Sequence, residues 1–324
     1  MMLRWDEKKY YNTINEILIS LNYFKKIKRI DWLTRVVSTD DEAEVRLVAK
    51  IYFFDEILIL RVTSDKVAKV KERIYFQKIL HQRGFAVPKV FSISKTVLSE
   101  KLTVMSYLEE YIDGVILDKN DFSQFAELLG KLHKESRRLD CQLSVQRNHI
   151  LYDTNRIEIE MRTSFQSGMV DSESLIKVIV KLMYETKTKM NLLKRYPVHG
   201  DYATNNLIKK DGKLFLVDFD WVGLGYLPEE AGESLAEITY SCFECCYWDD
   251  KIKDFLFIYK KTTCVSELEL QLIKDVAVIS LVIRILHMDL EEKKKFYLCS
   301  DFLKEESQSE VIPKTASDFS ELLL

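Results

Sequence analysis

The 324-residue chain lacks an excess of either charge, with 48 lysines and arginines against 51 aspartates and glutamates. Because a net charge of -3 gives no global electrostatic footprint for nucleic acid, we expect no nucleic-acid partner. Hydrophobic residues make up 47% and charged residues 31%, a balance typical of globular chains and not of disordered ones. The length predicts roughly two domains.

The chain also lacks a long apolar run. Its most apolar stretch, Val276 to Leu286, is too short to span a bilayer and is interrupted by Arg284. The first residues lead into the charged Glu7-Lys8-Lys9 without the apolar core of a signal peptide. We therefore expect no membrane partner and a cytoplasmic location.

Cysteine is scarce, and of the six cysteines only Cys242, Cys245 and Cys246 cluster. A zinc or redox site would need a second pair of ligands or a thioredoxin-like context, and the sequence offers neither. We interpret these cysteines as small buried hydrophobic residues of a helix from Glu237 to Tyr247.

Apolar periodicity predicts a β-rich first part of the chain after a helical lead-in over about residues 1–30. Arg46–Phe54 and Ile57–Val62 are typical of an antiparallel hairpin, and Leu102–Leu108 of a further strand. A helix from Asp65 to about Arg83 is predicted between them.

The pattern beyond Gly114 is mostly helical, with one amphipathic helix marked by Phe122, Phe125 and Leu129. A strand-rich interruption at Val198 to Val222 contains a turn at 210–212. We therefore assign a small lobe to residues 1–110 and a larger, mostly helical lobe to residues 111–324.

The strand-rich interruption carries residues suited to phosphoryl transfer. That reaction needs an oriented acceptor hydroxyl, a group to take its proton and a metal that neutralises the phosphates. Mg²⁺ prefers hard oxygen ligands. The sequence supplies these groups in order. Asp201 is a loop aspartate, Asn206 is an amide five residues later, and Asp218 is an aspartate after the next strand.

The chain resembles the aminoglycoside phosphotransferase and choline kinase superfamily in one motif. The motif is His199-Gly200-Asp201, followed by four residues and Asn206, and then by Asp218-Phe219-Asp220. The resemblance implies an α+β fold of the bilobal, protein-kinase-like type, with a nucleotide-binding first lobe and a catalytic second lobe. It implies that Asp201 positions or deprotonates the substrate hydroxyl and that His199 braces the loop. Asn206 and Asp218 would bind Mg²⁺.

The same resemblance assigns residues to the nucleotide. The backbone of Glu110, Tyr111 and Ile112 would hydrogen-bond a purine in the connector between the lobes. Arg61 would bind the α- and β-phosphates, with Glu72 of the following helix as its partner. Lys50 on the other strand of the hairpin is a competing phosphate ligand.

Two departures from the family pattern concern the phosphate site. Arg61 stands where the family has a lysine, which replaces a point charge with a planar fork. No glycine precedes Gly84, so a glycine-rich phosphate loop is missing, and the acidic segment Ser38 to Glu44 would take its place.

Several roles stay open on the residues alone. Asp220 is either a second metal ligand or a loop cap, and His133 is best interpreted as a packed or capping residue. Acidic residues after the motif would suit a cationic substrate, although solvated helix faces explain them as well: Glu229, Glu230, Glu233, Glu237, Glu244, Asp249 and Asp250. A protein kinase is disfavoured because the chain has neither a His-Arg-Asp loop nor an Ala-Pro-Glu segment after Asp-Phe-Asp.

These observations predict a small-molecule kinase, a transferase that moves the γ-phosphate of ATP, or of GTP, to a hydroxyl group. The acceptor would be an aminoglycoside, an amino alcohol or a sugar. The alternative is a kinase-like binding or structural protein without turnover, of the type found in spore coats.

Overall fold

The computed structural model describes residues 7–37, 45–99, 102–118, 121–139, 143–144, 146, 154–165, 172–241 and 248–287. The chain forms two units, one of Met1–Ile116 with Leu207–Asp220 and one of Leu117–Asn206 with Trp221–Leu324. The first unit thus extends past the predicted boundary at residue 110 and includes a later segment that the sequence had placed in the second lobe. The functional division of the chain stays a prediction.

A five-stranded antiparallel sheet forms the centre of the first unit. Its strands are β1 (Arg29–Val37), β2 (Val45–Tyr52), β3 (Ile57–Thr63), β4 (Val90–Ser99) and β5 (Leu102–Glu110), in the order β1-β2-β3-β5-β4. Helix α1 (Glu7–Ser20) precedes the sheet, and α2 (Val67–Gln82) connects β3 to β4. The predicted hairpin, the later strand and the intervening helix are all present.

The two faces of this sheet differ because side chains alternate along each strand. Apolar residues of α1, among them Ile14 and Ile17, pack on one face against the buried side chains of the central strands. Part of the opposite face is covered by α2, whose Ile74 packs near Tyr107 of β5.

Charged residues lie on the face that α2 partly covers. The register places Arg61 opposite Val48, and both Lys50 and Glu109 opposite Ile59. Directly opposed residues point to the same side of an antiparallel pair, as do residues two apart on one strand. The sheet thereby presents Arg61, Lys50 and Glu109 on one surface.

A smaller antiparallel sheet completes the first unit, with β6 (Val115–Ile116), β8 (Leu207–Lys210) and β9 (Lys213–Leu216) in the order β6-β8-β9. The turn between β8 and β9 has positive φ at Asp211 and Gly212, as expected for a tight hairpin. The amide of Leu216 donates to the carbonyl of Ala86 at 2.9 Å, which ties the end of β9 to the loop after α2.

The second unit is mostly helical. Its helices are α3 (Phe122–Ser136), α4 (Thr154–Phe165), α5 (Ser172–Met190), α6 (Leu227–Ser241), α7 (Trp248–Thr262) and α8 (Glu267–His287). The strands β7 (Tyr196–Val198) and β10 (Gly223–Gly225) pair antiparallel. None of the helices in the described ranges is both long and apolar enough to cross a membrane. The predicted α+β class is confirmed.

Some predictions concern residues outside the described ranges. They include the cysteines Cys242, Cys245 and Cys246 and the acidic segment at 38–44. The helix expected from Glu237 to Tyr247 corresponds to the end of α6 as far as Ser241.

Candidate active site

Arg61 on β3 is the centre of a buried cluster of charges in the first unit. Its Nε lies 2.5 Å from Glu109 Oε1, and its Nη1 lies 3.0 Å from Asp218 Oδ1 and 3.4 Å from Asp220 Oδ2. Burial alone would lower the pKa of Arg61, but these carboxylates and the neighbouring Tyr107 hold it well above its ordinary value. Arg61 is therefore a permanently charged group fixed in one position.

In the described part of the chain, Arg61 forms ion pairs with Glu109, Asp218 and Asp220. The sequence had named Glu72 of α2 as its candidate partner. Instead, α2 contributes Gln77, whose Nε2 donates to the Pro88 carbonyl at 2.9 Å and to Glu109 Oε2 at 3.3 Å. Gln77 thereby fixes the second oxygen of the carboxylate that pairs with Arg61. A nucleotide-binding role for Glu72 stays a prediction.

Asp220 forms ion pairs with three arginines. Arg46 Nη2 lies 2.6 Å from Asp220 Oδ2, Arg61 Nη1 lies 3.4 Å from the same oxygen, and Arg73 Nη1 lies 3.4 Å from Oδ1. Arg73 also pairs with Asp65 at 2.5 Å. The sequence left Asp220 open between metal ligand and loop cap, and the structure shows a buried acceptor of arginine ion pairs.

Asp218 adopts an unusual backbone conformation for a residue with a side chain, with φ of 63°. Non-glycine residues in this region are uncommon and concentrate at functional sites, where the surroundings hold them in place. Phe219, directly after it, is buried edge-on against Phe76 of α2, with ring centroids 6.3 Å apart. This packing anchors the Asp-Phe-Asp segment and leaves the Asp218 side chain partly exposed.

The loop after β7 holds the other half of the motif, in the second unit. His199 is fully buried, whereas Asp201 is partly exposed. Asn206, at the end of a short 3₁₀ turn, donates from Nδ2 to Asp201 Oδ2 at 2.9 Å and to the Asp201 carbonyl at 2.8 Å. Since Nδ2 makes both bonds, the amide oxygen is the side-chain atom of Asn206 that remains for a cation.

A buried chain of polar groups supports this loop. Glu230 of α6 accepts from the Gly200 amide through Oε1 and lies 2.8 Å from His133 Nε2 through Oε2. The other ring nitrogen of His133 lies 2.6 Å from the Tyr259 hydroxyl of α7. A proton on Nε2 lets His133 donate to Glu230, and Nδ1 can then accept from the Tyr259 hydroxyl. Sequence reasoning anticipated the packed histidine but missed Glu230, because nothing in the sequence distinguishes it from neighbouring acidic residues.

Of the three connector residues, Glu110 is the last residue of β5, and Tyr111 and Ile112 follow it. Ile112 is buried, and the Tyr111 ring lies under the ammonium group of Lys50, 3.6 Å from it. Burial lowers the pKa of Lys50, but contacts with Tyr111 and Tyr52 raise it above the ordinary value. Lys50 is thus placed on aromatic rings, while Arg61 lies beside Asp218.

The oxygen donors of the motif fit Mg²⁺ by their chemistry. No group of three or more histidine, cysteine or acidic side chains suited to a metal occurs in the described part of the chain. Mg²⁺ typically uses one or two protein oxygens and completes its shell with phosphate oxygens and water. The carboxylate of Asp218 and the amide oxygen of Asn206 are ligands of this kind.

The antiparallel sheet carries an ion pair of Arg61 with the partly exposed Asp218, and the helical unit carries a His-Gly-Asp loop. Together they are features of a phosphotransferase of the protein-kinase-like fold. Residues 31–238, well over half of the chain, match the model of the phosphotransferase enzyme family. The chain belongs to this family. The predicted enzyme class, a phosphotransferase with an alcohol group as acceptor, is confirmed by this membership.

Solved structures share the fold at low sequence identity. An amicoumacin kinase, hAmiN, in complex with AMP-PNP, Ca2+ and Ami is 15% identical, with a TM-score of 0.63 over 94% of this chain and 95% of that one. Plasmodium vivax ethanolamine kinase is 15% identical, with a TM-score of 0.52 over 89% and 86%.

A choline/ethanolamine kinase family protein from Mesorhizobium loti is 12% identical, with a TM-score of 0.54 over 98% and 97%. No curated protein sequence matches the chain. The predicted protein-kinase-like fold is confirmed.

Proposed function

We propose that the chain transfers the γ-phosphate of ATP, or of GTP, to a hydroxyl group of a small molecule. Asp201 would orient the acceptor hydroxyl and take its proton. Asn206 and Asp218 would hold Mg²⁺, which when bound neutralises phosphate charge. Arg61 would bind the phosphates, and the connector backbone at Glu110, Tyr111 and Ile112 would bind the purine.

The observation that carries this proposal is the hydrogen-bonded pair of Asp201 and Asn206. A base must be held in one orientation, accessible, and within reach of the hydroxyl that it deprotonates. Asn206 fixes one oxygen of the Asp201 carboxylate, which is partly exposed, and the buried Glu230 holds the preceding Gly200 amide. His199 would brace this loop from its buried position rather than exchange protons.

The family and known kinases of this fold, which include an amicoumacin kinase and an ethanolamine kinase, support a proposal for the acceptor class. We propose an aminoglycoside, an amino alcohol or a sugar. Among the acidic residues considered for a cationic acceptor, Glu230 already uses both carboxylate oxygens in hydrogen bonds, one with the Gly200 amide and one with His133. A cytoplasmic location is part of the proposal.

Two measurements test the proposal in sequence. Thermal unfolding with ATP or GTP, each with and without Mg²⁺, should show a rise in Tm that requires the nucleotide, since a ligand of the native state stabilises it. A phosphorylation screen over aminoglycosides, amino alcohols and free sugars should then identify an acceptor. No shift at millimolar nucleotide would contradict the proposal and favour a kinase-like protein without turnover.

A further inference from the structure

We propose that Arg46 is a polyphosphate-binding arm that can exchange its ion pair with Asp220 for contacts with the β- and γ-phosphates of a nucleotide. The inference rests on the proposed function and names a residue of that site which the sequence motif does not contain.

Of the three arginines that pair with Asp220, Arg46 is the one that can move away from it. Arg61 and Arg73 are each held by a second carboxylate, Glu109 and Asp65, at 2.5 Å, with side chains 11% and 3% exposed. The Arg46 side chain is 34% exposed, and in the described ranges its ion pair is the one with Asp220.

Departure of Arg46 does not leave a buried charge without a partner. An unpaired buried carboxylate would oppose the movement strongly, because its desolvation would go uncompensated. Asp220, however, keeps Arg61 and Arg73, each 3.4 Å away. The ion pair of Arg46 can therefore be exchanged for one with phosphate while Asp220 stays satisfied.

The position of Arg46 suits a phosphate ligand. It lies at the start of β2, two residues before Val48, which is paired with Arg61, so both arginines occupy one face as diagonal neighbours about 7–8 Å apart. Arginine binds phosphate through two parallel N–H groups. Because no glycine precedes Gly84, a glycine-rich backbone cradle is missing and side-chain donors have to supply the charge.

The three ion pairs also indicate the role of Asp220. Its two oxygens are occupied by guanidinium groups, so it is a counter-charge that keeps Arg61 and Arg73 in place rather than a ligand of the metal. Of the two aspartates in the Asp-Phe-Asp segment, Asp218 is thus the one left for Mg²⁺.

The test compares wild-type protein with Arg46→Ala and Arg46→Lys by calorimetric titration with Mg·ATP, AMP and inorganic triphosphate. We expect Arg46→Ala to weaken ATP and triphosphate about tenfold or more, since charge-assisted hydrogen bonds are lost. AMP, which lacks the β- and γ-phosphates, should bind as before, and Arg46→Lys should lie between. Arg156→Ala, on the exposed surface of α4, is the control for loss of an arginine.

The possible outcomes separate this inference from the proposed function. If the wild type binds ATP and Arg46→Ala binds it equally well, Arg46 has no such role and the function stands. Equal losses for ATP and AMP would also overturn the inference, because they would indicate damage to the fold or the purine site. A wild type that binds neither nucleotide would overturn the proposed function itself. Ligand-free Tm values of all variants verify that each is folded.

Discussion

The guanidinium group of Arg61 on β3 and the carboxylate of Glu109 on β5 form a buried ion pair 2.5 Å long, within one sheet. The counter-charge that positions Arg61 therefore belongs to the sheet, and it does not depend on where α2 lies. Gln77 of α2 adds a neutral hydrogen bond to the same carboxylate at 3.3 Å. This arrangement leads to the first prediction.

Glu109→Gln should destabilise the protein, because it removes the charge that compensates a buried guanidinium. We expect a loss toward the lower end of about 3–5 kcal/mol in the free energy of unfolding, since Asp218 and Asp220 remain near Arg61. Urea denaturation measures it. Glu72→Gln is the matched control and should change stability by less than about 1 kcal/mol. Equal losses of unfolding free energy for the two variants would indicate that Glu72 is also a partner of Arg61.

Asp201→Asn should abolish turnover while nucleotide still binds. Loss of the general base should lower kcat by at least about 10²-fold, and the thermal shift produced by Mg·ATP should persist. Asp211→Asn, in the exposed turn between β8 and β9, is a control, since asparagine also tolerates its φ of 49°. A kcat for Asp201→Asn equal to that of the wild type would refute the assigned mechanism.

Gly200→Ala should be far more damaging than Gly212→Ala, although both glycines have positive φ, 87° and 73°. A Cβ atom on Gly200 would collide with the backbone carbonyl of Trp221, whereas one on Gly212 meets nothing within 4 Å. The Gly212 variant should lose about 1–2 kcal/mol from backbone strain. The Gly200 variant should lose about 1–3 kcal/mol more. Parallel urea titrations compare them, and similar losses would show that the Trp221 contact is easily relieved.

Glu230→Ala should impair the catalytic loop through its backbone. The substitution leaves the Gly200 amide and His133 without their buried acceptor, which should cost about 1–3 kcal/mol for each group. It should also lower kcat, since Asp201 follows Gly200. Tyr259→Phe removes only the far hydroxyl of the same chain and should cost about 1 kcal/mol with little change in kcat. If Tyr259→Phe lowered kcat as much as Glu230→Ala, the loop would not be positioned through Gly200.

Much of the fold was predictable because it is encoded locally. The alternating apolar residues of Arg46–Phe54 and Ile57–Val62 specify a hairpin, and the period of α3 specifies a buried helix face. Both appear in the structure as β2, β3 and α3. The motif residues Asp201, Asn206 and Asp218 were likewise identified by their types and spacing, which phosphoryl transfer requires, and their catalytic roles stay predictions.

The partners of these residues could not be predicted, because they come from distant parts of the chain. Glu109 was given no part in charge pairing and Glu72 was only a candidate partner of Arg61, since a sequence does not tell which carboxylate a strand register brings close. For the same reason Arg46 and Arg73 were passed over, and Glu230 was considered only for a cationic substrate. The sequence by itself determined the chemical class of the motif. The tertiary structure alone decided which charges pair, because ion pairing depends on distance in space and on burial, and neither is a property of local sequence.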